Sequence, residues 1–445
     1  MRNEILDAIQ AQIHSNSVVL VGYGLEGRET EVFLKHLFPD LRLQILDEAT
    51  DSTAFSRLDQ LDEQATVIVS PGIPPKKLPP DLNYTTATNL FFTALPARLR
   101  DRTIGVTASK GKSTTASLIT AVLQQAGFKV ELCGNIGTPM LKLLGELAEG
   151  KTAPDWIVLE LSSYQLKDVL SAPHLAVFST FFPEHLDYHG SLDRYFLAKA
   201  QITLRQHPDD LFVYPPDDPR IERLAEITKA QGVPVPSILP FSLDQTRLLG
   251  EHNRFNMRVA FAVVDALGLD HSKIKKAFEQ FEPLPHRLQI GQKILDRWWV
   301  DDAISTTPQS TLEGLRALED RFGKGSLGAV FLGGTDRGYE FSELASYLLQ
   351  VGVSSLVIFP ESGDRIQQVI EQQAIEFGFS PPTFFRTTQM RDAVRWAHQH
   401  TNPDQLVVLS TASPSYSLWK NFEEKGDQFL LEVQKMNSDL SGSLI

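Results

Sequence analysis

The stretch "GVTASKGKSTTASLIT", residues 105–120, decides how the rest of the chain is read. An apolar run ends in a turn of small residues, and a segment with helical character follows. Gly111, Lys112 and Ser113 stand as they do in a phosphate loop, but Val106 occupies the place where the usual formula has its first glycine. Gly105 lies one place too early and belongs to the strand, and Ala108 stands where a second glycine would help. Successive backbone N–H groups in such a loop, backed by a helix dipole, favour phosphate oxygens. A lysine in the first helical turn opposes that dipole and needs an anion nearby. The turn therefore reads as a phosphate loop. Ser109, Lys110 and Gly111 line it, Lys112 brings charge to terminal phosphates, and Ser113 or Thr114 can reach Mg²⁺. ATP is the expected ligand.

Working outward, the same pattern of apolar run, glycine-containing loop and helical periodicity recurs in "SVVLVGYG", "QATVIVSPG", "DWIVLELSS", "AVFLGGTDRG" and "QLVVLSTAS". Strands alternating with helices imply an α/β fold of parallel sheets covered on both faces, with ligands at the carboxyl ends of the strands. At 445 residues the chain is too long for one ordinary core. Boundaries are expected near "TALPARLRDRT" and "FEPLPHRLQ", giving segments 1–97, 98–285 and 286–445.

A net charge of −13 argues against an extended nucleic-acid surface. The lone cysteine, Cys133, excludes an internal disulfide and suits a reducing compartment. "MRNEILDAIQAQI" resembles an amphipathic helix more than a signal peptide, and no apolar run approaches the ~18 residues of a membrane span. A cytoplasmic protein without membrane insertion is expected.

Two further stretches carry chemistry. "VVLVGYGLEGRE" sets Gly22, Gly24 and Gly27 in a G-x-G-x-x-G pattern, and Asp47 closes the next strand. This is a dinucleotide-type arrangement that suits any nucleotide diphosphate, and a purely structural turn uses the same glycines. "VSPGI", with Ser70 and Gly72, lines the same crevice or is a plain turn. In the middle segment, "WIVLELSSYQL" ends a strand at Glu160, placed to reach a loop-bound metal, with Ser162 and Gln165 following. "FFPEHLDYHGSLDRYFLAKAQI" offers Glu184, His185, Asp187, His189 and Lys199. His185 and His189 have zinc-pair spacing, but Pro183 and Gly190 bracket them and indicate a loop, so no zinc site is expected. Lys199 alone reads as an ordinary helix lysine.

These stretches, followed by "CGNIGTPML", "GEHNRFN", "LPHR", "WWVDDAISTTP", "LGGTDRG" and "STASPSYSLWKNFEEKG", make a series that resembles the Mur ligases of peptidoglycan synthesis over nearly the whole chain. The resemblance implies three domains: a Rossmann-like N-terminal domain for the UDP end of the substrate, a central phosphate-loop domain for ATP, and a Rossmann-like C-terminal domain for the incoming amino acid. It implies an enzyme that joins glutamate to UDP-N-acetylmuramoyl-L-alanine through an acyl phosphate, and a monomer is expected. By position it makes Glu160, His185 and Ser113 Mg²⁺ ligands and Lys199 a carbamylated lysine. It gives Gly24, Leu25, Glu26, Asp47, Ser70, Gly72, Asn135, Ser162 and Gln165 to the UDP-substrate, and Asn253, Asn256, Arg287 and Asp302 to ATP. Thr306, Arg337, Ser415 and Phe422 face glutamate.

Four positions depart from the commonest glutamate-adding pattern: Ala108, Ile304, Arg337 and Pro414. Ala108 is expected to restrict the loop or crowd a phosphate. The other three cluster around the amino-acid site and leave both D- and L-glutamate open, with D-glutamate expected. The rivals from other classes are a nicotinamide oxidoreductase, which leaves the phosphate loop unexplained, and a non-catalytic nucleotide-binding regulator. A folate polyglutamylating enzyme shares the loop but not the N-terminal glycine pattern.

Overall fold

The computed structural model describes residues 1–442 apart from 14, 63 and 244. It contains three sheets. The first has the order β2 (Arg42–Leu46), β1 (Ser17–Val21), β3 (Thr66–Val69). The second runs β5 (Val130–Gly134), β6 (Trp156–Glu160), β4 (Thr103–Thr107), β7 (Leu175–Phe178), β8 (Leu211–Tyr214), β9 (Gln231–Pro234). The third runs β10 (Gln289–Ile294), β11 (Arg297–Asp301), β15 (Leu406–Leu409), β12 (Leu327–Gly333), β13 (Ser355–Phe359), β14 (Thr383–Arg386). Every pairing is parallel except the β10–β11 hairpin, which the alternating-element reading did not foresee.

The chain folds into two compact units, Met1–Gln245 with Phe255–Phe281, and Thr246–Arg254 with the residues from Glu282 onward. The first unit contains both the first and second sheets. One apolar core joins them, from Ile5, Phe33 and Leu34 through Phe91 and Leu144 to Leu159, Phe178 and Phe212. The N-terminal helix Arg2–Gln12 turns Ile5 and Ile9 into this core, one turn apart on the same face. Burying each such side chain contributes roughly 1.5–3 kcal/mol.

In the second sheet all five residues of β4 are buried, as a central strand covered on both faces requires. β4 lies between β6 and β7, and its carboxyl end runs directly into the turn 108–111 and helix Lys112–Gln125. In the second unit, helix Phe422–Gly442 packs against the third sheet through Phe429, Val433 and Met436. Gly426 of this helix sits against a buried pair, His286 Nδ1 and Asp301 Oδ2, which are 2.7 Å apart. A Cβ on Gly426 would stand 2.1 Å from that nitrogen and 2.9 Å from that oxygen. Helix propensity favours alanine there by less than the clash costs. Gly426→Ala is expected to destabilise the protein by about 1–3 kcal/mol, read as a lower melting temperature.

Candidate functional site

The phosphate loop is built by bonds that hold its backbone open. Ser109 N–H donates to Thr180 O (2.8 Å) and Lys110 N–H to Thr180 Oγ1 (3.1 Å), tying the loop to the segment after β7. The Ser109 hydroxyl meets Tyr195 OH at 3.0 Å and accepts from Phe182 N–H at 2.9 Å. Ser109 is therefore an anchor of the loop, with its N–H and hydroxyl already engaged. Gly111 has φ of 84°, and a Cβ there would lie 2.3 Å from Asn256 Oδ1. That contact explains both the glycine and the position of Asn256, which Thr115 also meets at 3.4 Å. Ser113 and Thr114 are buried in the first turn of the helix.

Ala108 does not strain the loop. Its side chain is fully buried and its φ is not among the positive ones, so the backbone conformation at this position does not require glycine. Its carbonyl has a specific use. Lys112 Nζ donates to Ala108 O at 2.9 Å and to Ser109 O at 3.1 Å, and Lys199 Nζ donates to the same Ala108 O at 2.6 Å. Two lysine side chains thus converge on one carbonyl oxygen at the mouth of a phosphate loop. Lys199 is no ordinary helix lysine: it is 1% exposed and lies 4.9 Å from the Tyr195 ring centre. Burial, reinforced by the nearby Lys112 charge, pushes its amine well below the usual lysine range, toward the neutral form.

Glu160 ends β6, beside β4, and is 1% exposed. Its Oε1 accepts from Asn135 Nδ2 at 3.0 Å, and its Oε2 is buried with no hydrogen-bond partner among the described residues. His185 caps a single helical turn, Leu186–His189, inside the segment expected to be a loop. It adopts a left-handed backbone, φ 54°, which is uncommon outside glycine. Burial holds its imidazole below the ordinary histidine range, with Glu184 opposing and Lys112, Lys199 and Lys110 reinforcing. Lys110 itself pairs with Glu184 at 2.7 Å. His189 is turned away, its Nε2 3.0 Å from Ser163 Oγ. No group of three His, Cys, Asp or Glu side chains able to hold a metal occurs among the described residues. The donors that are present, an orphaned carboxylate oxygen, a hydroxyl and an imidazole, fit a magnesium ion that takes its remaining ligands from phosphates and water.

The substrate-side residues of the first unit form a linked set. Ser162 and Gln165 make a capping box, and Gln165 Nε2 donates to Glu26 Oε2 at 3.3 Å. Glu26 begins the helix Leu25–Leu37, and burial pushes its carboxyl up to about 7. Leu25 beside it is 75% exposed, and Gly24 caps the helix. Asp47 accepts from the backbone N–H groups of Tyr23 and Ala49, so both of its oxygens hold the glycine loop. Ser70 Oγ donates to Gly22 O at 2.7 Å and is a structural tie, while Gly72 has open space around its Cα.

In the second unit, Asp302 is buried and accepts from Leu288 N–H (3.1 Å) and Ser410 Oγ (2.8 Å), and burial pushes its carboxyl up to about 6. Arg287 precedes Leu288, and Asn253 Nδ2 donates to Leu249 O at 2.8 Å. Thr306 lies between β11 and helix Pro308–Phe322. Arg337 is exposed, its guanidinium 5.9 Å from the Tyr416 ring centre. Ser415 is buried next to Tyr416, and Phe422 opens the last long helix, its ring 6.2 Å from that of His286.

A family model described as the Mur ligase middle domain matches residues 106–242. A UDP-N-acetylmuramoylalanine--D-glutamate ligase of Geobacillus sp. is 32% identical over 406 residues, covering 85% of each chain. The chain belongs to the Mur ligase family. An enzyme of the same description from Streptococcus thermophilus is 30% identical over 405 residues, again covering 85% of each chain. Among solved structures, a MurF ligase from Thermotoga maritima in complex with ADP aligns over 98% of this chain and 100% of its own, with a TM-score of 0.59 and 13% identity. That likeness is one of fold.

The sequence reading of this Mur ligase missed Tyr195 and Thr180, which shape the phosphate loop. Tyr195 was findable. It precedes Lys199 by four residues in "RYFLAK", the spacing that puts both side chains on one helix face. Thr180 carries no such signal.

Proposed function

We propose that this Mur ligase joins D-glutamate to UDP-N-acetylmuramoyl-L-alanine, consuming ATP, in the cytoplasmic assembly of peptidoglycan precursors. The observation that carries the reading is the convergence of Lys112 and Lys199 on Ala108 O beside the unpartnered carboxylate oxygen of Glu160. The Lys112 ammonium at a phosphate loop, with a second, buried lysine on the same carbonyl and a buried acid in the neighbouring strand, suits a triphosphate with its metal. The relatives' names supply the two substrates and favour the D-enantiomer. No helix among the described residues is long and apolar enough to cross a membrane.

The chemistry follows from the substrate. A carboxylate is a poor electrophile until one of its oxygens becomes a leaving group. The terminal phosphoryl of ATP passes to the free carboxylate of the alanyl end, and the glutamate amine attacks the acyl phosphate. The tetrahedral intermediate then expels inorganic phosphate and leaves the amide. Lys112 neutralises charge on the outer phosphates, and backbone N–H groups of the loop orient them. Ser113, Glu160, His185 and Lys199 as its carbamate are the residues that would hold Mg²⁺. When bound, Mg²⁺ supplies neutralisation of phosphate charge. The low proton affinity of the buried Lys199 amine supports carbamate formation, because only the neutral amine attacks CO₂.

We assign residues 1–97 to the UDP end, 98–285 to ATP and 286–445 to glutamate. Leu25, Glu26, Asn135, Ser162 and Gln165 serve the UDP-substrate. Asn253, Asn256, Arg287 and Asp302 serve ATP, and Thr306, Arg337, Ser415 and Phe422 serve glutamate. The test is phosphate release from ATP and Mg²⁺ with UDP-N-acetylmuramoyl-L-alanine and either glutamate enantiomer. Release and amide formation with D-glutamate support the reading. Turnover with L-glutamate alone replaces the D-enantiomer, and no substrate-dependent release removes the ligase assignment.

A further inference from the structure

We propose that Thr335 is a specificity-determining residue that acts with Ser415 to receive a carboxylate of the incoming amino acid; this rests on the ligase reading above. β12 and β15 lie side by side in the third sheet, and the loops at their carboxyl ends are stitched together. Gly333 N–H donates to Thr411 O at 2.9 Å and Thr335 N–H to Pro414 O at 2.8 Å. The carboxyl ends of parallel strands are where such folds bind ligands.

On these two loops the hydroxyl oxygens of Thr335 and Ser415 are both buried, and neither has a hydrogen-bond partner among the described residues. Ser415 is 3% exposed. The surrounding hydroxyls are satisfied. Thr411 Oγ1 donates to Ser413 O at 3.0 Å and accepts from Lys425 Nζ at 2.5 Å, and Ser362 Oγ donates to Ser413 Oγ at 2.6 Å. Leaving a buried hydroxyl unpaired disfavours the folded state, so two of them on adjoining loops need an explanation. An acceptor-rich ligand provides one.

The charge nearby selects the kind of acceptor. Arg337 follows Thr335 by two residues, Tyr416 follows Ser415 directly, and the Arg337 guanidinium lies 5.9 Å from the Tyr416 ring centre. A cation two residues along the loop from one unpaired donor, and near the ring that follows the other, suits an anion, and a carboxylate has lone pairs for both hydroxyls. An amino acid with two carboxylates gives one to the hydroxyl pair and the other to the guanidinium fork. Charge drew the sequence reading to Arg337 in "GGTDRG", and nothing in the spacing marked the threonine two places earlier.

The experiment compares wild type, Thr335→Val and Thr335→Ser by phosphate release with ATP, Mg²⁺, UDP-N-acetylmuramoyl-L-alanine and glutamate, together with thermal unfolding. Thr335→Val is expected to raise the glutamate KM about tenfold or more, with the KM values for ATP and the UDP-substrate within about twofold of wild type. Its melting temperature should be unchanged or higher, because a donor without a partner has been removed from the fold. Thr335→Ser should bring the glutamate KM back toward wild type. An active Thr335→Val enzyme with an unaltered glutamate KM overturns the inference. So does a variant that unfolds or melts lower, since the hydroxyl would then have its partner within the fold. Wild type without glutamate-dependent release overturns the ligase reading itself, and this inference with it.

Discussion

Lys112→Ala is expected to lower ATP-dependent phosphate release by a factor on the order of 10²–10³, the size of effect seen when a group stabilising developing charge is removed. The fold should survive. Lys112 is the first residue of its helix, where a cation opposes the macrodipole, so alanine costs that helix nothing. It donates to the loop carbonyls of Ala108 and Ser109, and Lys199 still donates to the first of these in the variant. Steady-state phosphate release with a melting curve on the same preparation checks both halves. An active variant would detach the loop from catalysis, and a collapsed one would make Lys112 a structural residue.

The second large effect is expected at Lys199. Lys199→Met keeps the length of the side chain and removes its nitrogen from a site that is 1% exposed. A buried amine faces a desolvation cost that an apolar side chain avoids, so the melting temperature should hold or rise. Activity should fall by about 10²-fold or more, because the variant can form no carbamate and so lacks an anionic ligand that would help hold Mg²⁺. Wild type stripped of CO₂ should lose activity and regain it with bicarbonate, and Lys199→Met should respond to neither treatment. Full activity in CO₂-free buffer would leave Lys199 as an amine and remove the carbamate from the account.

The two effects differ in how far the sequence foretold them. Lys112 was legible because the phosphate loop is a local feature, with glycine, lysine and hydroxyl adjacent in the chain and a strand before them. The strands that could be read directly, β1, β3, β4, β6, β12 and β15, are those whose continuous apolar runs follow from burial on both faces. Edge strands other than β3 were not legible. β9 is "QGVP" and largely exposed, so it carries neither alternation nor an apolar run. β10 and β11 pair through the turn at Leu295 and Asp296, both with positive φ, and although Asp296 suits such a turn, Leu295 does not announce one.

Side-chain roles were harder still, because spacing shows which residues are near in the chain and not which carbonyl a hydroxyl reaches. Ser109 and Ser70 stand as ligand contacts in their motifs, and the spacing did not show that their hydroxyls also bond Phe182 and Gly22 of distant segments. Asp47 occupies the place of a ribose-binding acid, and the spacing did not show that its two oxygens also each accept one N–H bond, from Tyr23 and Ala49. Lys199 looked ordinary because nothing in "FLAKAQ" reports that its helix turns that face inward. Thr335 was silent for the same reason.

The central claim is that the outermost phosphoryl of ATP is transferred to the substrate's own carboxylate before the amide forms. The most direct measurement labels the free carboxylate of UDP-N-acetylmuramoyl-L-alanine with oxygen-18 and analyses the released phosphate by mass spectrometry. The account predicts that each inorganic phosphate carries one labelled oxygen from that carboxylate. Phosphate released without label during amide formation would contradict it.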